Sequence, residues 1–419
     1  MHGFPILLLF LLCSNCETCR IVILTGSSSH PLVGNKLKYI FTSSSHNLLN
    51  QTSSARIPFT PYDNLSPNFP STLETKGNRN KANNLDGWGV YISSSSTSPS
   101  TFIKNESPIT QSPHFTTFLN STNPPPSSLI FAHVRAATPP SSPSINQNIA
   151  VNYENTHPFQ YSISSTTTLT FMHNGCVSNA IDHQIRTQLQ MMNLSGNTDS
   201  ELAGGIFAIF YREQTQTQTD DSASLLESAM VKTLDRLQNP LITNSYIGGC
   251  QSDGSSLNFA ATADDGDFVA TRYRSCSTED PPTLYLGMVK EGWGKPDKYC
   301  GFREICSLTY LTEGSWIAPK GSVVVVASEP LETENGQNGI FYGLLPKDSL
   351  ISFNSKTNTV RISCLSTVCK SLIENKHRRG ANASANEGRQ GNMNLAVIFL
   401  FGVVVWFVAV ATTQKSKTN

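Results

Sequence analysis

Thr18-Cys19-Arg20-Ile21-Val22-Ile23-Leu24 is the stretch on which the rest of the chain turns. A cysteine and an arginine lead into a run of β-branched and apolar residues, the pattern of a strand buried on both faces. Just upstream, an apolar run from Ile6 to Leu12 gives way to small and polar residues up to Thr18. That order is the order of a secretory signal peptide, with only His2 standing where a basic segment is usual. Removal of residues 1–18 would make Cys19 the first residue, with a thiol and a free α-amine on one residue, a nucleophile and its base together. An α-amine titrates near ~7.7–8.0, so much of it is neutral at working pH and can accept the thiol proton. The competing readings are an uncleaved anchor or buried first strand, and an ordinary buried cysteine.

Composition narrows the field. The chain has 419 residues, a formal net charge of zero and only 14% charged residues, so nothing in the charge balance points to nucleic acid. A second apolar run, Leu395 to Thr412, precedes Gln414-Lys415-Ser416-Lys417. Its length is at the lower end of what crosses a bilayer, and the basic tail fits a single-pass type I span with the bulk of the chain lumenal or extracellular. The expected organisation is a signal peptide over residues 1–18, one domain over 19–370 with a Ser/Pro-rich insertion at 93–128, a polar stalk at 371–394, a transmembrane helix at 395–412 and a cytosolic tail at 413–419. Glycosylation sequons stand at Asn50, Asn64, Asn105, Asn120, Asn193 and Asn382. Of the ten cysteines, Cys13 and Cys16 would leave with the signal. Cys300 with Cys306, and Cys364 with Cys369, are spaced for small disulfide loops. No cysteine and histidine spacing resembles a zinc site, and no metal or organic cofactor is implied.

Patterning places the remaining elements. Asp86-Gly87-Trp88-Gly89-Val90-Tyr91-Ile92 opens on a tight turn and continues as a strand. Residues 93–128 show no sustained periodicity and read as an exposed insertion or flexible loop. Leu129 to Ala137 is strand-like, as is Thr168 to Met172 running into His173-Asn174-Gly175. Ala180 to Met192, Asp199 to Phe210 and Ser222 to Leu237 read as helices, with Thr198 as an N-cap and Glu201 completing a capping box. Leu257 to Ala263, Asp267 to Arg274, Thr283 to Met288, Ser322 to Ser328 and Thr359 to Cys364 read as strands. Strands, then helices, then strands again predict helices layered on antiparallel sheets.

An amide carbonyl under attack needs a nucleophile, a base, donors for the developing oxyanion and groups that hold the substrate. Cys19 can supply the first two. Asn174 and Gly175 can supply an amide side chain and a backbone N–H for the oxyanion. Arg135 can clamp a carboxylate in a bidentate fork, and Asp199 can accept from a substrate ammonium. Each residue also has a plain structural reading: Arg135 in a salt bridge, Asn174-Gly175 as a turn dipeptide, Asp199 as a helix-end charge. His133, His157 and His173 fit core or supporting positions, since the mechanism already has its base.

Taken in order, these stretches resemble the class II glutamine amidotransferases of the N-terminal-nucleophile hydrolases. The motifs are Cys19-Arg20, Phe131-Ala132-His133-Val134-Arg135-Ala136-Ala137-Thr138, Asn155-Thr156-His157-Pro158-Phe159, Met172-His173-Asn174-Gly175, Gly196-Asn197-Thr198-Asp199-Ser200-Glu201, Ala270-Thr271-Arg272-Tyr273-Arg274 and Val325-Val326-Ala327-Ser328-Glu329-Pro330. Within that group the chain is most similar to the γ-glutamyl amidase branch, which includes the amidotransferase-like subunit of a glutathione-degrading complex. The resemblance implies an α+β fold, a four-layer αββα sandwich. It implies Cys19 as nucleophile, Asn174 and Gly175 as oxyanion hole, Arg135 and Asp199 as the α-carboxylate and α-amine sites, and Thr138 as a pocket residue. The implied partner is a small γ-glutamyl compound such as glutamine or glutathione; a protein partner stays open. Two other readings also stay open: an inactive relative that binds through the same pocket, and a glutamine-dependent transferase passing ammonia to a partner.

Overall fold

The computed structural model describes residues 19–26, 38–44, 46–54, 84–93, 99–120, 129–136, 151–177, 189, 192, 194–217, 221–238, 255–263, 266–275, 281–289, 313–318, 322–331, 340–366 and 369. The expected signal peptide, stalk, apolar C-terminal run and tail, the Cys300–Cys306 pair and most of the expected helix at 180–192 lie outside them. Among the described residues no helix is long and apolar enough to cross a membrane. The chain divides into two units, Met1–Ser366 and Thr367–Asn419. All the elements below belong to the first. Cys364 and Cys369 are both disulfide-bonded.

In chain order the strands are β1 (Arg20–Thr25), β2 (Trp88–Ile92), β3 (Thr101–Asn105), β4 (Leu129–Val134), β5 (Phe159–Ser162), β6 (Thr168–Cys176), β7 (Ser256–Thr262), β8 (Phe268–Arg272), β9 (Tyr285–Val289), β10 (Gly314–Ile317), β11 (Val323–Ala327), β12 (Ile340–Leu344), β13 (Ser349–Asn354) and β14 (Thr359–Cys364). They form two seven-stranded sheets, ordered β12-β9-β11-β1-β4-β2-β3 and β10-β14-β13-β8-β7-β6-β5. Every named pair is antiparallel. The helices are α1 (Leu48–Ser54), α2 (Pro113–Asn120), α3 (Asp199–Thr217) and α4 (Ser222–Gln238), with a π turn at Tyr39–Ser43 and a 3-10 turn at Ile109–Gln111.

Strand alternation creates the layers. In β1, Ile21 and Ile23 join an apolar layer that also contains Met172, Ala260 and Ile351 from the second sheet. Val22 and Leu24 point the other way, into a layer with Phe41, Leu48, Phe115 and Phe118 from the helical segments. On the second sheet, Phe171 and Phe259 pack against Phe207 of α3 and Met230 of α4. The stacking is helix, sheet, sheet, helix, the αββα sandwich. β1 is buried along its whole length because it is central in its sheet and covered on both sides.

Several expectations are corrected. The segment 93–128 is not a plain exposed loop: Thr101–Asn105 pairs with Trp88–Ile92, and Ile109, Phe115 and Phe118 are buried in the outer layer. Phe115 and Phe118 stand three apart on one face of α2 and meet Phe41 edge-to-face, at 5.2 and 6.3 Å. Thr198 caps α3 as expected, Oγ1 accepting the Glu201 N–H at 3.1 Å. The Glu201 carboxylate does not return to Thr198; it accepts from the Ser195 N–H at 3.0 Å, tying down the preceding loop. α3 also runs on to Thr217.

Candidate active site

The candidate site lies at the start of β1, where residues on the inter-sheet faces of both sheets are buried. Cys19 precedes β1 and continues the face of Ile21 and Ile23. His133 of β4 and Asn174 of β6 occupy the inter-sheet faces of their strands, in phase with Phe131 and Met172. The nucleophile candidate therefore stands on one sheet and the oxyanion candidate on the other.

Cys19 is buried. Its Sγ receives the Ala136 N–H at 3.4 Å. Burial pushes the thiol above its ordinary pKa; the Ala136 N–H, then the Arg135 and Arg20 cations, pull it back, while Asp199 pushes it up. A neutral thiol in such a place needs a base to become a nucleophile. Arg20 lies on the opposite face, fully buried. Its guanidinium donates from Nε to Glu329 at 2.7 Å and from a terminal nitrogen to the Cys19 carbonyl at 3.0 Å. The other Glu329 oxygen meets His46 Nε2 at 2.6 Å. This buried ion pair holds the main chain of Cys19.

Asn174 and Gly175 lie inside β6, opposite Asn258 and Leu257 of β7, so the turn-dipeptide reading is excluded. Asn174 Nδ2 donates to Ser328 Oγ at 3.0 Å. Gly175 has φ +150°, and a Cβ there would run into the Ser256 carbonyl. Only glycine brings the β6 main chain this close to β7.

Arg135 follows β4, and its main chain is fixed by its N–H to the Gly87 carbonyl at 2.8 Å and by the Asp86 N–H to its own carbonyl at 3.1 Å. The Asp86-Gly87 turn thus positions the arginine. Burial lowers its pKa, which Cys19, Asp86 and Asp199 raise. Asp199 opens α3. One oxygen accepts the Val177 N–H at 2.7 Å; the other accepts the Ser200 N–H at 2.8 Å and lies 3.2 Å from Ser200 Oγ. A carboxylate has about four acceptor positions; with the Ser200 hydroxyl hydrogen turned to His173 Nδ1, the two main-chain N–H groups leave about two. Thr138 lies outside the described residues. Cys19, Arg135 and Asp199 are near enough to act on one another electrostatically.

Three buried histidines support this arrangement. His133 Nε2 lies 3.2 Å from the His173 carbonyl, and its ring stacks on His157 at 4.1 Å. His173 Nε2 faces the Ser256 carbonyl at 2.8 Å and Nδ1 faces Ser200 Oγ at 2.9 Å. Facing carbonyls, Nε2 carries the proton in both rings. Burial holds all three neutral, His133 at about 3 and His157 well below its usual value. Ser328, Glu329, His46, Ser200 and Ser256 were not singled out as individual site residues. Ser328, Glu329 and Ser200 stood within quoted motifs, which was the one signal that could have found them.

Among the described residues no group of His, Cys, Asp and Glu is placed to hold a metal ion. The two antiparallel sheets stacked between helical layers form a sandwich of the N-terminal-nucleophile kind. The family model described as glutamine amidotransferases class-II matches residues 64–272, which takes in Arg135, Asn174, Gly175 and Asp199 and begins beyond Cys19. The chain belongs to the class II glutamine amidotransferases. Similar solved structures include the allosteric regulatory enzyme of purine biosynthesis, at 14% identity and TM-score 0.44 over 83% of this chain and 49% of that one. The glutamine phosphoribosylpyrophosphate amidotransferase of B. subtilis is 13% identical, with TM-score 0.43 over 83% and 50%. A glutamine aminotransferase class-II domain protein of Silicibacter pomeroyi is 15% identical, with TM-score 0.38 over 67% and 91%. The chain spans about half the length of the first two. No curated protein sequence matches it.

Proposed function

We propose that this chain hydrolyses a γ-glutamyl amide through Cys19. The observation that supports it most is the buried Cys19 thiol held at 3.4 Å by the N–H of Ala136, next in the chain to Arg135, on the inter-sheet face that Asn174 shares. Arg135 takes the α-carboxylate of the glutamyl group and Asp199 its α-ammonium, which orients the γ-carbonyl toward the thiol. The Cys19 sulfur attacks that carbonyl carbon as its proton passes to its own freed α-amine. Asn174 Nδ2 and the Gly175 N–H receive the developing oxyanion. The C–N bond breaks, the leaving amine takes the proton, and water cleaves the thioester to release the glutamyl acid and restore the thiol.

Substrate choice tests this reading. Arg135→Lys keeps the charge and loses the fork. The variant should lose about tenfold or more in kcat/KM on glutamine and γ-glutamyl peptides. It should lose little on an analogue without the α-carboxylate, which the unaltered enzyme uses poorly. Equal losses on both would remove Arg135 from the clamp. Ammonia released from glutamine without any acceptor would distinguish the hydrolase from a transferase that fires only with its partner.

A further inference from the structure

The nucleophile and the oxyanion donors are carried by different sheets, so their separation depends on how the sheets are held together. The layer between them, with Ile21, Ile23, Phe131, Met172 and Ala260, is apolar. Apolar contacts attract without direction, yet oxyanion donors work only within a few tenths of an ångström of their target. Something directional must fix the register.

We infer that Ser328 is the positioning residue that sets the distance between the nucleophile strand and the oxyanion donors. Its Oγ accepts two hydrogen bonds at once, from the Ile21 N–H at 3.0 Å and from Asn174 Nδ2 at 3.0 Å. Those use both lone pairs of the hydroxyl. One donor lies two residues from Cys19 on the first sheet; the other is the oxyanion side chain on the second. Ser328 itself is held by its N–H to the Ile21 carbonyl at 2.9 Å and by Thr283 Oγ1 to its carbonyl at 2.8 Å. It is buried, so water does not compete. The second hydrogen on Asn174 Nδ2 is left for the oxyanion. His133 to the His173 carbonyl is a second tie across the sheets, one residue from Asn174.

This inference rests on Cys19 and Asn174 acting as proposed above, and glutamine, the substrate named by the family, is the assay substrate. The full chain is prepared with Cys19 as its first residue. Ser328→Ala should lower kcat on glutamine about tenfold or more, as expected for a small displacement of reacting groups, with KM changed less than about threefold. Ser328→Thr, which keeps Oγ, should restore kcat to within about threefold. Alkylation of Cys19 by iodoacetamide forms no oxyanion, so its rate should stay within about threefold. Adding Ser328→Ala to Asn174→Ala should cost no more than about threefold further, because the residue acts through Asn174. If Ser328→Ala melts below assay temperature, Ser328→Cys fills the same space with a poor acceptor and carries the same comparison. Unchanged turnover in the Ala or Cys variant, a parallel loss in alkylation, or a full tenfold loss on top of Asn174→Ala would overturn the inference. An enzyme that cleaves glutamine but no other γ-glutamyl amide would narrow the substrate reading above and leave this comparison intact.

Discussion

At the scale of single residues, the site depends on side chains that are absent as much as on those present. Gly175 places a main-chain N–H beside Asn174, at φ +150° and against the Ser256 carbonyl. Gly175→Ala strains this backbone, at about 1–3 kcal/mol, and pushes β6 from β7, at about 1–3 kcal/mol more. The expected result is a loss of roughly 2–6 kcal/mol in urea unfolding, with turnover falling further than the lost stability explains, because the oxyanion donor moves. An alanine variant that keeps full turnover and an unchanged urea midpoint would show that this strand end is not tightly held. Asp199 carries a related lesson. Its expected freedom to bind an ammonium is limited by bonds to Val177 and Ser200, which fix its orientation and leave about two acceptor positions.

At the scale of elements, β4, β5 and β6 carry or adjoin three of the buried histidines, His133, His157 and His173. His133 has a folded pKa of about 3 against an ordinary 6.5. The unfolded chain therefore binds a proton that the folded chain refuses between those values, so stability is complete above about pH 6.5 and falls as pH drops toward 3. The slope is about 1.4 kcal/mol per pH unit for one such group. Against a His133→Gln variant, the unaltered protein should lose about 1.4 kcal/mol more between pH 6 and pH 5 in urea unfolding. Identical pH slopes for the two proteins would mean that His133 titrates normally.

The same scale shows what could be read in the sequence. β1 and β11 were legible as clear apolar runs, β14 by the alternation of Val360 and Ile362 with Arg361 and Ser363, and α3 and α4 as helical repeats. β10 and β12 each lie at one edge of their sheets; at four and five residues they are too short for alternation to stand out. β3 and α2 were hidden in a Ser/Pro-rich background, although Ile109, Phe115 and Phe118 already had a buried spacing. The candidate site residues could be found from motif order. The Ser328 bridge could not, since it joins residues 154 apart in sequence, a pairing that only the stacking of two sheets creates.

At the scale of the whole molecule, the proposed chemistry makes a demand on maturation that no other group among the described residues of the site meets. Buried as it is, the Cys19 thiol is held protonated. The histidines nearby are neutral, but Nε2 of His133 and of His173 is turned to a main-chain carbonyl, and none of them bonds the sulfur. The base in the proposed mechanism is the α-amine of Cys19, which is an unreactive amide nitrogen while Thr18 is attached. We propose that residues 1–18 are removed and that the active chain begins at Cys19. A chain retaining one extra residue there should fold normally, because only the end of β1 is extended, and should be inactive. Cys19→Ser with the correct terminus should fold and be strongly impaired, since a hydroxyl is the weaker nucleophile under the same base. Mass spectrometry of the N-terminal peptide from the native protein, beside an amidase assay of the same sample, decides the matter. Activity in a sample whose chains all begin upstream of Cys19 would remove the α-amine from the mechanism, while leaving the layered fold and its place in the family untouched.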